Sequence, residues 1–189
     1  MSNRFFELHG DPEEGYWYLD DPVDKNGVEI EDAWRLRAGT PVEITGPLRI
    51  PFMEPGKPRD FSMAGLCMAP VVHVKLAMLF AELAPNDVQF LSVGIPGQPE
   101  QFSMLVATRM IRCIDERASE EARRWEPKDG RPEKVGQYRS VYGMRIDPSQ
   151  VGSAKVFRTW GWSIALIVSE DLKTALEHTR ATGMRFTEV

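Results

Sequence analysis

The order of elements in the last quarter of the chain most constrains how it can fold. Residues 163–168 predict a strand, and Ser169 with two acidic residues behind it predicts the start of a capped helix. Gly183 predicts the end of that helix, because glycine readily adopts the backbone conformation that follows a last helical turn. Residues 184–189 predict a final strand. This alternation predicts a domain that mixes helices with strands.

Hydrophobic patterning predicts a second helix and a β-hairpin upstream. Apolar residues recur at helical spacing over residues 71–83, and Pro85 ends the pattern. Residues 88–93 and 101–114 predict a hairpin around a Pro-Gly turn, with the second strand central because both of its faces are apolar. Further strands are predicted at residues 4–9, 16–19, 42–45, 48–52, 141–146 and 154–159. The predicted fold class is α+β, a mostly antiparallel sheet with two or three packed helices.

A charge-dense stretch interrupts these elements at residues 116–137, which hold six acidic and six basic residues. Pairs of opposite charge three and four positions apart favour a short helix from Glu116 to Arg124, with Asp115 as its cap. Gly130 and Pro132 then predict a surface loop.

Composition narrows the class of protein. The chain has 189 residues and is 42% hydrophobic, which suits one domain or one domain with a small appended lobe. We find no apolar run of membrane-spanning length and no signal-peptide pattern at the start. Cys67 and Cys113 lie far apart in apolar runs and are predicted to be buried free thiols, which indicates a reduced, cytoplasmic protein.

Charge is distributed unevenly along the chain. Residues 1–32 carry ten acidic and two basic residues, a net charge of −8, whereas the remainder carries 18 acidic and 21 basic residues, a net charge of +3. An acidic protein with pI near 5.3 is not expected to bind nucleic acid, and the acidic segment favours a basic partner. A solvated edge without a partner is the alternative.

Aromatic side chains lie within the acidic segment and make it the best candidate interface. Tyrosine and tryptophan are favoured anchors of protein interfaces, and acidic neighbours steer a basic partner. In a strand, Tyr16 and Tyr18 face one way and Trp17 faces the other, so one side is exposed unless the strand is covered on both faces. Core packing is the alternative for Trp17. The candidate residues are Glu13, Glu14, Tyr16, Trp17, Tyr18, Asp20, Asp21 and Asp24.

The sequence contains no recognisable catalytic, cofactor or phosphate-binding motif. None of His9, His73 and His178 has a second ligand at metal-binding spacing, so we predict no metal, no cofactor and no catalytic residue. The alternative function is an enzyme or small-ligand binder with a carboxylate-lined cleft near Asp60 and Asp115. A homo-oligomer with a structural or regulatory role also stays open.

An ordered set of short segments resembles a known family. The segments are Gly39-Thr40-Pro41, Asp60-Phe61, Val71-Val72-His73-Val74-Lys75, Asp87-Val88-Gln89-Phe90-Leu91, Cys113-Ile114-Asp115 with Ser119, Val156-Phe157-Arg158, residues 164–176 and Gly183-Met184-Arg185-Phe186. Together they resemble the immunity proteins of bacterial polymorphic toxin systems, first recognised in myxobacteria. At His73 the family often has a serine suited to capping the helix.

This resemblance implies a protein without catalytic activity, which binds and neutralises a toxin made by the same cell and so protects the cell and its kin. It covers residues 39–189, the expected immunity-family domain. Residues 1–38 match poorly and are expected to form an acidic and aromatic segment packed on that domain. Toxins of such systems include nucleases, whose phosphate-binding clefts are electropositive targets for an acidic inhibitor. We therefore expect a basic toxin as the partner.

Overall fold

The structure is a computed structural model, and it describes residues 4–99 and 101–189. In this part of the chain, two helices accompany a larger number of short strands. The helices are α1 (Val74–Leu83) and α2 (Glu170–His178). The strands are β1 (Phe5–Gly10), β2 (Tyr18–Leu19), β3 (Leu48–Arg49), β4 (Phe52–Glu54), β5 (Phe61–Ala64), β6 (Ala69–His73), β7 (Val88–Gly94), β8 (Phe102–Ala107), β9 (Met110–Ile111), β10 (Glu121–Arg124), β11 (Tyr138–Tyr142), β12 (Val156–Thr159), β13 (Trp162–Ser169) and β14 (Met184–Glu188). No helix among the described residues is long and apolar enough to cross a membrane.

The strands form two five-stranded sheets and two smaller pairs. The first sheet has the order β14-β1-β13-β12-β9, and the second has the order β3-β7-β8-β6-β5. The expected mixture of helices and strands is confirmed, and most strand pairs are antiparallel, as predicted. The strands nevertheless divide into several sheets instead of one. Parallel pairs also occur, between β9 and β12 and between β3 and β7. In each parallel pair, tens of residues connect the two strands, and parallel pairing requires such a long connection.

Both helices pack into a core that the two sheets share. Leu76 and Phe80 of α1 and Leu172 and Leu176 of α2 are fully buried in it. The strand residues of this core include Leu8, Val72, Leu105, Val156 and Leu166. Because these residues come from both sheets, burial of the helix faces also holds the sheets together.

The predicted hairpin is confirmed, since β7 and β8 are antiparallel neighbours and β8 lies at the centre of its sheet. The helix predicted over residues 71–83 begins only at Val74, because the residues before it form β6. At the start of α1, the Nδ1 atom of His73 accepts a hydrogen bond of 3.3 Å from the backbone N–H of Lys75. His73 therefore caps the helix at the position where the resembled family often has a serine.

Three local predictions are wrong. Residues 121–124 form β10, paired with β11, instead of a helix, and Asp115 accepts backbone hydrogen bonds in a turn. Residues 42–45 are not a strand, because the side-chain amide of Gln89 takes both backbone hydrogen bonds of Val42, each 2.8 Å long. Gly183 does not end α2, which stops at His178. It instead lies against the carbonyl oxygen of Phe61 with a φ of +90°, where a Cβ atom has no room.

Candidate functional site

Trp17, at the centre of the predicted interface segment, belongs to the core. It is 2% exposed, and its indole N–H donates a hydrogen bond of 3.0 Å to the hydroxyl of Ser62. Its ring packs against those of Phe52 and Phe102, with centroid distances of 5.7 and 5.4 Å. Trp17 therefore packs in the core, which was the alternative for this residue, and its indole is not available to a partner.

The two neighbouring tyrosines lie on the opposite side of the segment. Tyr18 is 38% exposed and Tyr16 is partly buried. The guanidinium of Arg59 lies over both rings, 4.6 Å from the centroid of Tyr16 and 5.8 Å from that of Tyr18. Arg59 carries no signal in the sequence that links it to this segment, because only the folded chain brings the two together.

Arg59 also fixes the loop that carries the first two acidic candidates. It is buried, and its guanidinium donates hydrogen bonds to the backbone carbonyls of Asp11 and Glu13. The side chains of Glu13 and Glu14 remain exposed. The loop is therefore anchored through its backbone, which leaves both carboxylates free to face solvent or a partner.

The three aspartates of the segment order its turns. Asp20 accepts a hydrogen bond from the backbone N–H of Asp21, and the carboxylate of Asp21 accepts backbone hydrogen bonds from Leu66 and Cys67, each 3.1 Å long. Partial burial on its own raises the pKa of Asp21, but the hydrogen bonds from Cys67 and Leu66 outweigh burial and lower it.

Asp24 has a similar local role. Its carboxylate accepts hydrogen bonds from the backbone N–H groups of Val28 and Asn26, at 2.9 and 2.8 Å. The hydrogen bond from Val28 is the largest cause of its lowered pKa. Like the other two aspartates, it adds negative charge to this surface while its oxygens hold the local backbone.

A cavity of about 420 Å³ opens beside the tyrosines and is named here the methionine-lined cavity. Met53, Met63 and Met68 line it, together with Tyr18 and Leu66. Leu66 is 75% exposed and Met53 is 61% exposed, so apolar surface faces solvent at its rim. Flexible, polarisable methionines suit a surface that adapts to a partner. Asp11, His9, Arg59 and Arg185 also line the cavity, so charges of both signs border it. Apolar surface with a polar rim is typical of a protein-binding site.

The carboxylates of the alternative function have structural partners. Asp60 receives Lys75 Nζ at 2.7 Å and is hydrogen-bonded by the backbone N–H and the hydroxyl of Thr182, at 2.8 and 3.0 Å. Burial on its own raises the pKa of Asp60, but these contacts outweigh burial and lower it. Neither Asp60 nor Asp115 lines the methionine-lined cavity or either of the two cavities that adjoin it along the surface.

Asp60 is expected to make the protein less stable in acid. Its folded-state pKa is depressed, so its contribution is complete above the unfolded-state pKa of about 3.9 and is lost as the pH falls through the folded value. Asp60→Asn should lower the free energy of unfolding by about 1 kcal/mol or less at pH 7, because the pair with Lys75 is partly exposed. Urea unfolding at several pH values tests this, and a difference that grows in acid would contradict it.

Among the described residues, no group of three or more His, Cys, Asp or Glu side chains is arranged to hold a metal ion. Cys67 and Cys113 are buried free thiols, as predicted, and burial raises the pKa of each to about 12. A thiol with such a pKa is a poor nucleophile at neutral pH. Both cysteines therefore act as small core residues.

Comparison with known proteins gives one family match. The model of the immunity protein family Imm11 matches residues 57–189, more than two thirds of the chain. No curated protein matches the chain. The match excludes the acidic and aromatic segment and includes both helices and most strands of the two large sheets. The chain therefore belongs to the immunity protein family Imm11.

Proposed function

We propose that this protein binds a cognate protein toxin and neutralises it by covering a functional surface of the toxin. Membership of an immunity protein family supports this role, and such a role is non-enzymatic. The toxin is proposed to be basic, because the first 32 residues carry a net charge of −8. A nuclease meets this requirement, since its phosphate-binding cleft is electropositive.

The observation that supports the location of the toxin interface is the exposed apolar surface around Tyr18, beside the carboxylates of Glu13 and Glu14, named here the acidic rim. Tyr18, Met53 and Leu66 expose apolar area beside one cavity, and Glu13 and Glu14 lie exposed on the neighbouring loop. Desolvating the apolar side chains supplies affinity, whereas the carboxylates speed association with a basic partner. Residues 1–38 thus add a charged surface to the part of the chain that matches the family.

The proposed function is tested by co-expressing the full chain with the product of the neighbouring upstream gene. We expect that product to be toxic alone, and we expect this chain to restore growth and to co-purify with it. Absence of toxicity, or rescue without a complex, would contradict neutralisation by binding.

Once the complex has been purified, Tyr18→Ala is expected to weaken toxin binding about 30-fold or more, because truncating a central interface anchor removes much of the binding free energy. The matched control is Tyr142→Ala, which truncates another exposed tyrosine on a different sheet. Calorimetric titration measures both variants. Equal affinities for the two would place the interface elsewhere.

The acidic rim is expected to act on the rate of association. Glu13→Gln with Glu14→Gln should slow association and reduce its dependence on salt, while dissociation changes little. Glu82→Gln with Glu177→Gln removes the same charge from two exposed helix positions and serves as the control. Stopped-flow association at several salt concentrations distinguishes the two pairs.

A further inference from the structure

Two more cavities continue the surface that begins at the methionine-lined cavity. The first, of about 240 Å³, is lined by Asp21, Glu29 and Asp32 and is named the acidic cavity. It shares Leu66 with the methionine-lined cavity and Trp34 with the next cavity. Trp34, in the short 3-10 helix Ala33–Arg37, is 53% exposed. Exposed apolar side chains therefore connect three neighbouring cavities.

The third cavity, of about 460 Å³, has the opposite charge and is named the cationic cavity. Its charged lining residues are Arg37, Lys134 and Arg139, and no acidic residue is among the described residues that line it. Three tryptophans, Trp34, Trp125 and Trp162, also line it. Three positive charges on an aromatic wall favour an anionic group.

The cations are held in place by the aromatic rings. The guanidinium of Arg37 lies 4.3 Å from the ring centroid of Trp34. Lys134 and Arg139 lie 5.4 and 5.2 Å from the centroid of Trp125, and Arg139 also pairs with Asp129 at 3.1 Å. Such stacking positions the charged groups before a ligand arrives, which reduces the entropy lost on binding.

One donor of a residue that lines this cavity has no hydrogen-bond partner in the described part of the chain. The Nη1 atom of Arg37 is shielded from solvent and makes no hydrogen bond to any described residue. A shielded donor without a partner is costly, and a carboxylate oxygen is an acceptor that a guanidinium binds well. An incoming acidic side chain that reached this donor would relieve that cost.

We propose that the cationic cavity binds an acidic segment of the toxin, so that one interface runs from the methionine-lined cavity across Leu66 and Trp34. This inference rests on the proposed function for the identity of the partner. Tryptophan, tyrosine and arginine are the residues most enriched at the energetic centres of protein interfaces, and all three types line this cavity. A nucleobase is less suited, because Trp34 and Trp125 already carry cations over their rings.

Opposite charges on one surface make the interface selective. A toxin must present basic groups to the acidic rim and acidic groups to the cationic cavity in the correct arrangement. A uniformly basic protein would place like charge against Arg37, Lys134 and Arg139, which disfavours binding. This arrangement is not visible in the sequence, because residues 33–189 have a net charge of only +3 and Arg37 lies far from Lys134 and Arg139 along the chain.

The test uses the full chain and synthetic hexaglutamate, with hexalysine as the opposite-charge peptide. We expect saturable binding of hexaglutamate, read from the fluorescence of the tryptophans that line the cavity, and no such change with hexalysine. Arg37→Gln with Lys134→Gln should weaken this binding about tenfold or more. Lys134→Gln alone alters an exposed residue and is the variant to use if the double variant does not fold.

The control pair, Arg112→Gln with Lys128→Gln, removes the same charge elsewhere. Arg112 lies 3.5 Å from the ring centroid of Trp160, a comparable stacked pair, and neither control residue lines the cationic cavity. Equal weakening in both pairs, or no binding of hexaglutamate, would overturn the inference. If hexaglutamate binds as expected but the neighbouring gene product is harmless, the acidic-segment site stands and the proposed function fails.

Discussion

Replacing Trp17 with alanine is expected to lower the free energy of unfolding by about 3–5 kcal/mol. The substitution removes a buried ring from contacts with Phe52 and Phe102 and leaves the hydroxyl of Ser62 without its donor. Urea unfolding followed by circular dichroism measures the loss. Tyr18→Ala, one position along the chain, is the control and should change stability by about 0.5 kcal/mol or less, because its side chain lies at the surface.

The pair of variants separates two causes of lost protection. Trp17→Ala should abolish protection by unfolding the protein, and lower temperature or added osmolyte should restore it. Tyr18→Ala should reduce protection through weaker binding of a folded protein, and neither treatment should restore it. A stable Trp17→Ala protein would contradict the role assigned to this residue in the core.

Replacing Arg158 with methionine is expected to raise the free energy of unfolding by about 1–4 kcal/mol. Arg158 is fully buried, and its Nη1 atom donates a hydrogen bond of 2.9 Å to the carbonyl of Ile164. Its Nε and Nη2 atoms have no hydrogen-bond partner among the residues that the structure describes. Burial lowers the pKa of this guanidinium, which is the sign of a charge held in an unfavourable environment.

Methionine preserves most of the packing, because its unbranched side chain is nearly as long as the arginine stem. It also removes the buried charge. Arg158→Ala is the matched comparison and should destabilise the protein, because it leaves a cavity between the sheets. Thermal unfolding of both variants at pH 7 measures the effect. Destabilisation by methionine as large as that by alanine would show that the guanidinium itself holds the fold.

Local patterns predicted the elements whose stabilising contacts are close in sequence. The β7–β8 hairpin and helix α2 follow from a turn, a cap and apolar spacing within a few residues. The β10–β11 hairpin was missed because its contacts span a long loop. There, Arg124 of β10 and the hydroxyl of Tyr138 of β11 both bind Glu116. Glu116 lies eight positions before Arg124, so Arg124 does not make the contact three or four positions away that favours a helix.

The candidate site was predictable only in part. Alternation within the aromatic segment separates Trp17 from Tyr18, and the structure places them inside and outside as a strand requires. The same alternation carries no information on Arg59, which lies more than forty residues downstream and anchors the acidic loop. Trp34 belongs to a short 3-10 helix without a recognisable period, so its position between two cavities depends on tertiary structure.

The position of β1 sets when the first sheet can close during folding. β1 pairs with β13 and β14, so Phe6 lies opposite Val168 and Glu188, which are far from it in sequence. Contacts of such wide sequence separation form slowly, because a long loop must close first. Closure of the first sheet is therefore expected to follow formation of the local β7–β8 hairpin. The acidic loop that follows β1 does not depend on that closure alone, because Arg59, much nearer in sequence, anchors its backbone.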